Sequence, residues 1–124
     1  MKRLTKCLIK DKEKYLLIKR EPNSKFFPNK WDFPGGKSKL LETDAACGIR
    51  EAKEETNLDI VSDKIVKKII IFALGIPFRI RILSVKSYSG DIKLSKDHTE
   101  FAWFTKKEMK DIDLSPVVKK IILS

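Results

Sequence analysis

The segment from Asp44 to Thr56 puts the tightest constraint on what this chain can fold into. Thr43 is placed to cap a helix there, Asp44 suits the positive end of its dipole, and Asn57 tolerates the left-handed conformation that ends one. At about 100° per residue, Ala45, Ile49, Ala52 and Thr56 fall within about 60° of one another. This predicts a narrow seam of mostly small residues, packed closely on whatever lies beneath. Glu51, Glu54 and Glu55 share a second face about 100° wide, roughly opposite that seam. Side chains three or four apart are neighbours on a helix, so these like charges oppose it by roughly 0.2–0.5 kcal/mol per pair. Lys53 points away from them, and Arg50 lies nearest Glu54.

The charge background has the opposite sign. The 124 residues include 27 Lys and Arg against 17 Asp and Glu, a formal net charge of +10. Within residues 41–60 the balance reverses, with 2 basic and 6 acidic side chains. A solvated acidic face is one reading of the helix. The other is a cation site, since clustered oxygen ligands on a rigid element suit a hard ion such as Mg²⁺ or Mn²⁺. Gly35 and Gly36, just upstream, would let backbone approach a metal or phosphate closely. The overall basicity fits phosphate-rich partners or simply a lysine-rich surface.

At 42% hydrophobic residues the chain can build a core, and its length predicts one domain over 1–124. The apolar run Ile69 to Leu74 is far short of the ~20 residues that span a bilayer. No apolar stretch follows the basic N-terminus, so no signal peptide and no membrane partner are expected. Cys7 and Cys47 lack paired spacing, which predicts a reducing, cytoplasmic setting.

Alternation predicts strands at Leu4–Lys10 and Tyr15–Ile18, joined as a hairpin across Asp11-Lys12-Glu13. Residues 21–30 read as a loop carrying Phe26 and Phe27. Further strands are expected at Leu58–Val61, Ile65–Leu74, Phe78–Tyr88 and Phe101–Phe104, with a break at Gly75-Ile76-Pro77. Thr105 is placed to cap a short helix to about Asp111, and Ser115-Pro116 opens a last one to about Leu123. The fold class is α+β, strand-rich, with one central helix.

Gly36, five residues, Glu42, seven residues, then Arg50-Glu51-Ala52-Lys53-Glu54-Glu55-Thr56-Asn57-Leu58 resembles the Nudix box over 23 residues. Two positions depart from the pattern: Ala52 is smaller than the usual aliphatic, and Asn57 replaces the glycine that ends the helix. Trp31-Asp32-Phe33-Pro34-Gly35-Gly36-Lys37 is similar to the lead-in of MutT-type members, and Glu100-Phe101-Ala102-Trp103 to their late glutamate–tryptophan segment. The resemblance implies an α/β/α sandwich: a mixed sheet flanked by helices, with the box as loop-helix-loop. It also implies hydrolysis of nucleoside diphosphate derivatives with Mg²⁺, Mn²⁺ being an alternative.

Carried over residue by residue, Glu51, Glu54 and Glu55 would hold metal, with the Gly36 carbonyl as a further ligand. Arg50 would orient Glu54 or Glu51. Glu42 would support the loop or a metal-bound water, and Asn57 would close the box helix. Glu51 and Glu100 are both candidates for general base, with His98 the lesser one. Lys37, Arg20, Gly35, Phe78 and Asp113 are candidate substrate contacts, as are Arg79 and Arg81, while Phe26 and Phe27 could stack on a base.

The implied substrate is a nucleoside triphosphate, cleaved to the monophosphate and pyrophosphate, an oxidised nucleotide included. ADP-ribose or a nucleotide sugar is the alternative. A non-catalytic nucleotide or RNA-binding domain is the alternative of another class. The nucleotide is the expected partner, specific nucleic-acid binding is not expected, and the oligomeric state stays open.

Overall fold

The computed structural model describes residues 1–123. Two four-stranded sheets carry the fold. The strands are β1 (Lys2–Leu8), β2 (Lys10–Asp11), β3 (Lys14–Arg20), β4 (Trp31–Asp32), β5 (Gly35–Lys37), β6 (Asp59–Ala73), β7 (Ile76–Ser89) and β8 (His98–Phe104). The helices are α1 (Asp44–Thr56), α2 (Lys106–Met109) and α3 (Pro116–Ile122). The first sheet runs β5-β1-β7-β6 and is mixed, because β1 pairs parallel with β7 and antiparallel with β5. In the second, β3 lies between β4 and β8 and also meets β2.

Both faces of the first sheet bury side chains. Cys7, Ile9, Leu58, Ile60 and Leu83 pack with Ala52 of α1 on one face. Phe78, Ile80 and Ile82 pack with Leu17, Met109, Val117 and Val118 on the other. The result is the expected mixed sheet flanked by helices. Among the described residues no helix is long and apolar enough to cross a membrane.

The β1–β3 hairpin is corrected. The run Leu4–Lys10 divides between sheets: β1 stays in the first, and only β2 turns back on β3, pairing Lys10 with Tyr15. Fully buried Ile9 marks the crossing. Alternation cannot reveal this, since both halves bury one side of a strand. The two strands expected after α1 form one, β6, with irregular register between Val61 and Lys67. The break after it is a two-residue turn, Leu74 (φ 52°) and Gly75 (φ 74°), the positive-φ pair that matches strand twist in a tight hairpin.

Helix α1 begins and ends as the sequence predicts. The Thr43 side chain accepts the Ala46 N–H, and Asn57 sits at φ 67° with its N–H on the Lys53 carbonyl. Its buried face differs. Cys47, Gly48, Ala52 and Thr56 are buried, whereas Ile49 is 39% exposed. The buried stripe is therefore rotated from the expected seam toward Glu51 and Glu55. Gly48 explains the rotation, for a Cβ there would lie 2.6 Å from Leu83 Cδ2 and 3.1 Å from Cys7 Sγ. The helix lies on the sheet at a distance that leaves no room for a side chain at that point. Helix α2 is also shorter than expected, ending at Met109 after its Thr105–Glu108 capping box.

Asn57 Nδ2 also donates to the Asp91 carbonyl at 3.1 Å. Asn57→Ala is expected to lower unfolding free energy by about 1–2 kcal/mol, from left-handed strain and the lost bond. Asn57→Gly, which loses only the bond, should fall clearly short of that loss in the same urea titrations.

Candidate functional site

The site begins at β5. Gly35 has φ +146°, and a Cβ on it would collide with the Thr5 carbonyl oxygen and lie 2.7 Å from Lys6 Cα. Only glycine lets β5 lie this close to β1. A Cβ on Gly36 would lie 2.5 Å from Glu51 Oε2 and 2.6 Å from its Cδ. The Glu51 carboxylate thus rests against the hydrogen face of Gly36.

Arg50 gathers the acids. Its Nε and Nη2 donate to Glu42 at 2.8 and 2.9 Å. Nη1 donates to Glu51 at 2.8 Å and to Glu54 at 3.2 Å, and Nη2 also meets the Lys37 carbonyl at 2.9 Å. One guanidinium therefore ties the loop, β5 and two of the three helix carboxylates together. Glu42 also accepts the Lys39 N–H at 2.9 Å. The Arg50 and Lys39 bonds hold its carboxyl at about 2, well below the ordinary value.

Glu55 has different surroundings. Its side chain is 15% exposed and accepts the Gly35 N–H at 2.8 Å. Burial pushes its carboxyl up to about 7, against the opposing pull of Lys6 and the Gly35 N–H. His98 lies beside it, Nε2 to Oε2 4.0 Å, with Nδ1 buried and unpartnered. Burial, then Lys6 and Arg20, hold the imidazole down at about 4, so it is neutral at pH 7.

Two further residues, absent from the sequence expectations as site residues, lie beneath. Lys6 Nζ donates to Asp32 Oδ2 at 2.9 Å, and both side chains are almost fully buried. Burial alone would raise the Asp32 carboxyl. Lys6, Arg20 and the Ser115 hydroxyl outweigh it and hold the group below its ordinary range. The register of β1 carries the one available signal: Lys6 falls between Leu4 and Leu8 on a core-facing side of the strand.

A cleft of about 200 Å³ adjoins the site. Its lining combines Gly35, Gly36, Lys37 and Glu55 with Lys6, Arg20 and Asp32 and with the rings of Phe26, Phe27 and Phe78. Phe78 is 6% exposed and packs edge-on against Phe26, ring centres 5.1 Å apart. Arg20 is committed to the loop that carries Phe26, donating to the Phe26 carbonyl at 2.7 Å and to Ser24 Oγ at 2.8 Å. Lys37 has Lys2 as a like-charged neighbour, which lowers its ammonium pKa.

Several expected residues lie elsewhere. Asp113 does not line the cleft; its exposed carboxylate is 2.7 Å from Lys30 Nζ. Glu100 is exposed, 3.5 Å from Lys19 Nζ. Arg81 pairs with Asp44, and Arg79 points to solvent.

Among the described residues no three His, Cys, Asp or Glu side chains converge as a closed metal-binding group. Glu51 and Glu54 turn to Arg50, and Glu55 to Gly35. The donor chemistry nonetheless fits a hard divalent cation. The three glutamates and the Gly36 carbonyl offer oxygens, and buried Glu55 accepts a hydrogen bond from the Gly35 N–H.

Residues 3–123 match the NUDIX domain family, and this chain belongs to it. It is 36% identical over 100 residues to mRNA-decapping enzyme subunit 2 of Arabidopsis thaliana, covering 81% of this chain and 23% of that protein. It is 32% identical over 81 residues to the m7GpppN-mRNA hydrolase NUDT17 of Danio rerio, covering 58% of this chain and 27% of that protein. The chain thus spans about a quarter of the length of these relatives. The crystal structure of the MutT protein from Methanosarcina mazei Go1 superposes with a TM-score of 0.87 at 25% identity, covering 98% of this chain and 88% of that one.

Two measurements probe the framework. The Glu42 carboxyl lies at about 2 in the folded protein against 4.5 ordinarily, so its stabilisation is complete above pH 4.5 and fades as pH falls toward 2. Urea midpoints of the wild type should therefore drop more steeply over that window than those of Glu42→Gln, the two converging at the acid end. Gly36→Ala should displace the Glu51 carboxylate and lower activity about tenfold or more, with only a small shift in melting temperature.

Proposed function

We propose that the chain is a divalent-cation-dependent nucleoside triphosphate pyrophosphohydrolase of the MutT type, yielding a nucleoside monophosphate and pyrophosphate. The observation that carries this reading is the cleft, whose lining joins Gly35, Gly36 and Glu55 to Phe26, Phe27 and Phe78. Its volume of about 200 Å³ is below the ~300–1,000 Å³ of ordinary ligand pockets. That size suits one base, with the polyphosphate at the mouth beside Lys37.

Glu51, Glu54 and Glu55, with the Gly36 carbonyl, would hold Mg²⁺ or Mn²⁺. Such an ion, when bound, neutralises phosphate oxygens and acidifies a nearby water. The chain's own residues do the rest by positioning and charge. Arg50 holds Glu51 and Glu54 in place with hydrogen bonds of 2.8 and 3.2 Å. The water oxygen attacks phosphorus in line, the anhydride P–O bond breaks and pyrophosphate leaves. Glu51 takes the water's proton on a carboxylate oxygen. It suits this role better than Glu100 because it rests against Gly36 of the cleft, whereas Glu100 is exposed and does not line it. Lys37 meets the substrate's remaining negative charge at the cleft mouth.

A second reading has a specific observation in its favour. Both curated relatives bear names that describe action on mRNA caps, and the net charge of +10 suits a long polyanion.

A turnover panel tests both. It comprises the common and oxidised (d)NTPs, ADP-ribose, nucleotide sugars and a capped oligoribonucleotide, each with Mg²⁺ or Mn²⁺. Pyrophosphate release from a (d)NTP is the expected result. Release of m⁷GDP alone would move the assignment to the cap, and no turnover on any substrate would end the enzyme reading. Glu54→Gln should reduce turnover at least ~10²-fold.

A further inference from the structure

Lys6 has no place in the box, yet it is built into the site. Its ammonium is buried and has three acceptors: Asp32 Oδ2 at 2.9 Å, the Gly35 carbonyl at 3.3 Å and the Phe33 carbonyl at 3.4 Å. Leu4 and Leu8 flank it on the same side of β1 and pack into the core. A leucine at position 6 would continue that row without the cost of burying an ammonium. Stability alone therefore gives no reason for a lysine here, and its contacts suggest another.

Two of the three acceptors are carbonyls of the segment that enters β5. Gly35 is bonded on both sides: its carbonyl accepts from Lys6, and its N–H donates to Glu55 Oε1 at 2.8 Å. Strand β5 is three residues long and sits at the sheet edge with β1 as its sole strand partner. The Pro34–Gly35 peptide that carries this N–H is also held by the Cys7 N–H on the Pro34 carbonyl at 2.7 Å, and Lys6 holds the peptides on either side of it. Asp32 anchors the arrangement from behind, since its Oδ1 accepts from the Phe33 N–H and from Ser115 Oγ at the start of α3, each at 2.9 Å.

We propose that Lys6 is a positioning residue for Glu55. With Asp32 it holds the Phe33–Gly35 backbone so that the Gly35 N–H aims the Glu55 carboxylate toward the cation. The inference rests on the metal-site reading given above. Residues that orient metal ligands in this way carry about 10–100-fold in metal affinity or activity.

Mn²⁺ binding, followed by the EPR signal of the free ion, tests this without turnover. Lys6→Met alone would leave the buried Asp32 charge with Arg20, 3.8 Å away, as its nearest cation, so pairs that also remove the Asp32 charge are used. Lys6→Met/Asp32→Asn removes the donor to the Gly35 carbonyl. Lys6→Gln/Asp32→Asn keeps an N–H directed at it. The amide at position 32 can still accept from Phe33 and Ser115 in both. The methionine pair should bind Mn²⁺ about 10–100-fold more weakly than the wild type. The glutamine pair should recover much of that loss, and nucleotide KM should move little beside kcat in either.

Equal Mn²⁺ affinities in two folded pairs would overturn the positioning role, as would unfolding of both, which would leave the ion pair a stabilising element only. A rise in KM at unchanged Mn²⁺ affinity would also overturn it, by making Lys6 a direct substrate contact. Glu55→Gln separates this inference from the reading beneath it. If that variant binds Mn²⁺ like the wild type, the metal-site reading itself fails. If it binds weakly while the methionine pair does not, only the role of Lys6 fails.

Discussion

The Arg50 guanidinium is surrounded by the groups that would otherwise drive the box apart. Three glutamates share one side of a helix within two turns, and a fourth approaches from the loop. Their mutual repulsion acts against the helix, against the loop and against any close approach of β5. Five N–H groups in a planar fork can satisfy carboxylates lying in different directions, which a lysine's point charge does less well. The box loop, the helix and the end of β5 thus share one electrostatic junction. A cation bound among the same carboxylates would take over part of that work.

A second ion pair does for the backbone what Arg50 does for the side chains. Lys6 and Asp32 are joined to the rest of the fold through Ser115, the cap of α3. Between the two junctions runs a strand of three residues, with two glycines whose missing side chains are occupied by the Thr5 carbonyl on one and the Glu51 carboxylate on the other. The chemistry is therefore placed where backbone has the fewest alternatives of its own, and where neighbouring groups supply the definition.

Much of this was legible in the residues. The limits of α1, its caps at Thr43 and Asn57, and the cap of α3 at Ser115 follow from local chemistry and recur in the fold. The rotation of α1 was not legible. Apolarity pointed to Ile49, while the contact is governed by the size of Gly48, and the helix turns a carboxylate inward that hydrophobic patterning assigns to water. Lys6 was hidden for the same reason, because alternation reads a strand lysine as solvent-facing unless its leucine neighbours on the same side are weighed first. The division of residues 4–10 between two sheets was beyond local signals, being decided by which strands arrive as neighbours of β1. Asp113 and Glu100 were placed by analogy of position, and their salt bridges with Lys30 and Lys19 are long-range facts that no local pattern contains.

The close approach of α1 to the sheet has a kinetic consequence. The chain's 2 cysteines lie on opposite sides of that contact, Cys7 on β1 and Cys47 on α1, and both are fully buried. Cys7 Sγ reaches the Gly48 carbonyl at 3.5 Å, and Cys47 Sγ donates to the Gly36 carbonyl at 3.3 Å. Burial pushes the Cys7 thiol up to about 12, leaving almost no thiolate at neutral pH. A thiol reagent can therefore modify these positions only in moments when the helix lifts away. The rate of labelling becomes a clock for the opening of the very element that carries the glutamates, readable in the unmodified sequence with no probe introduced.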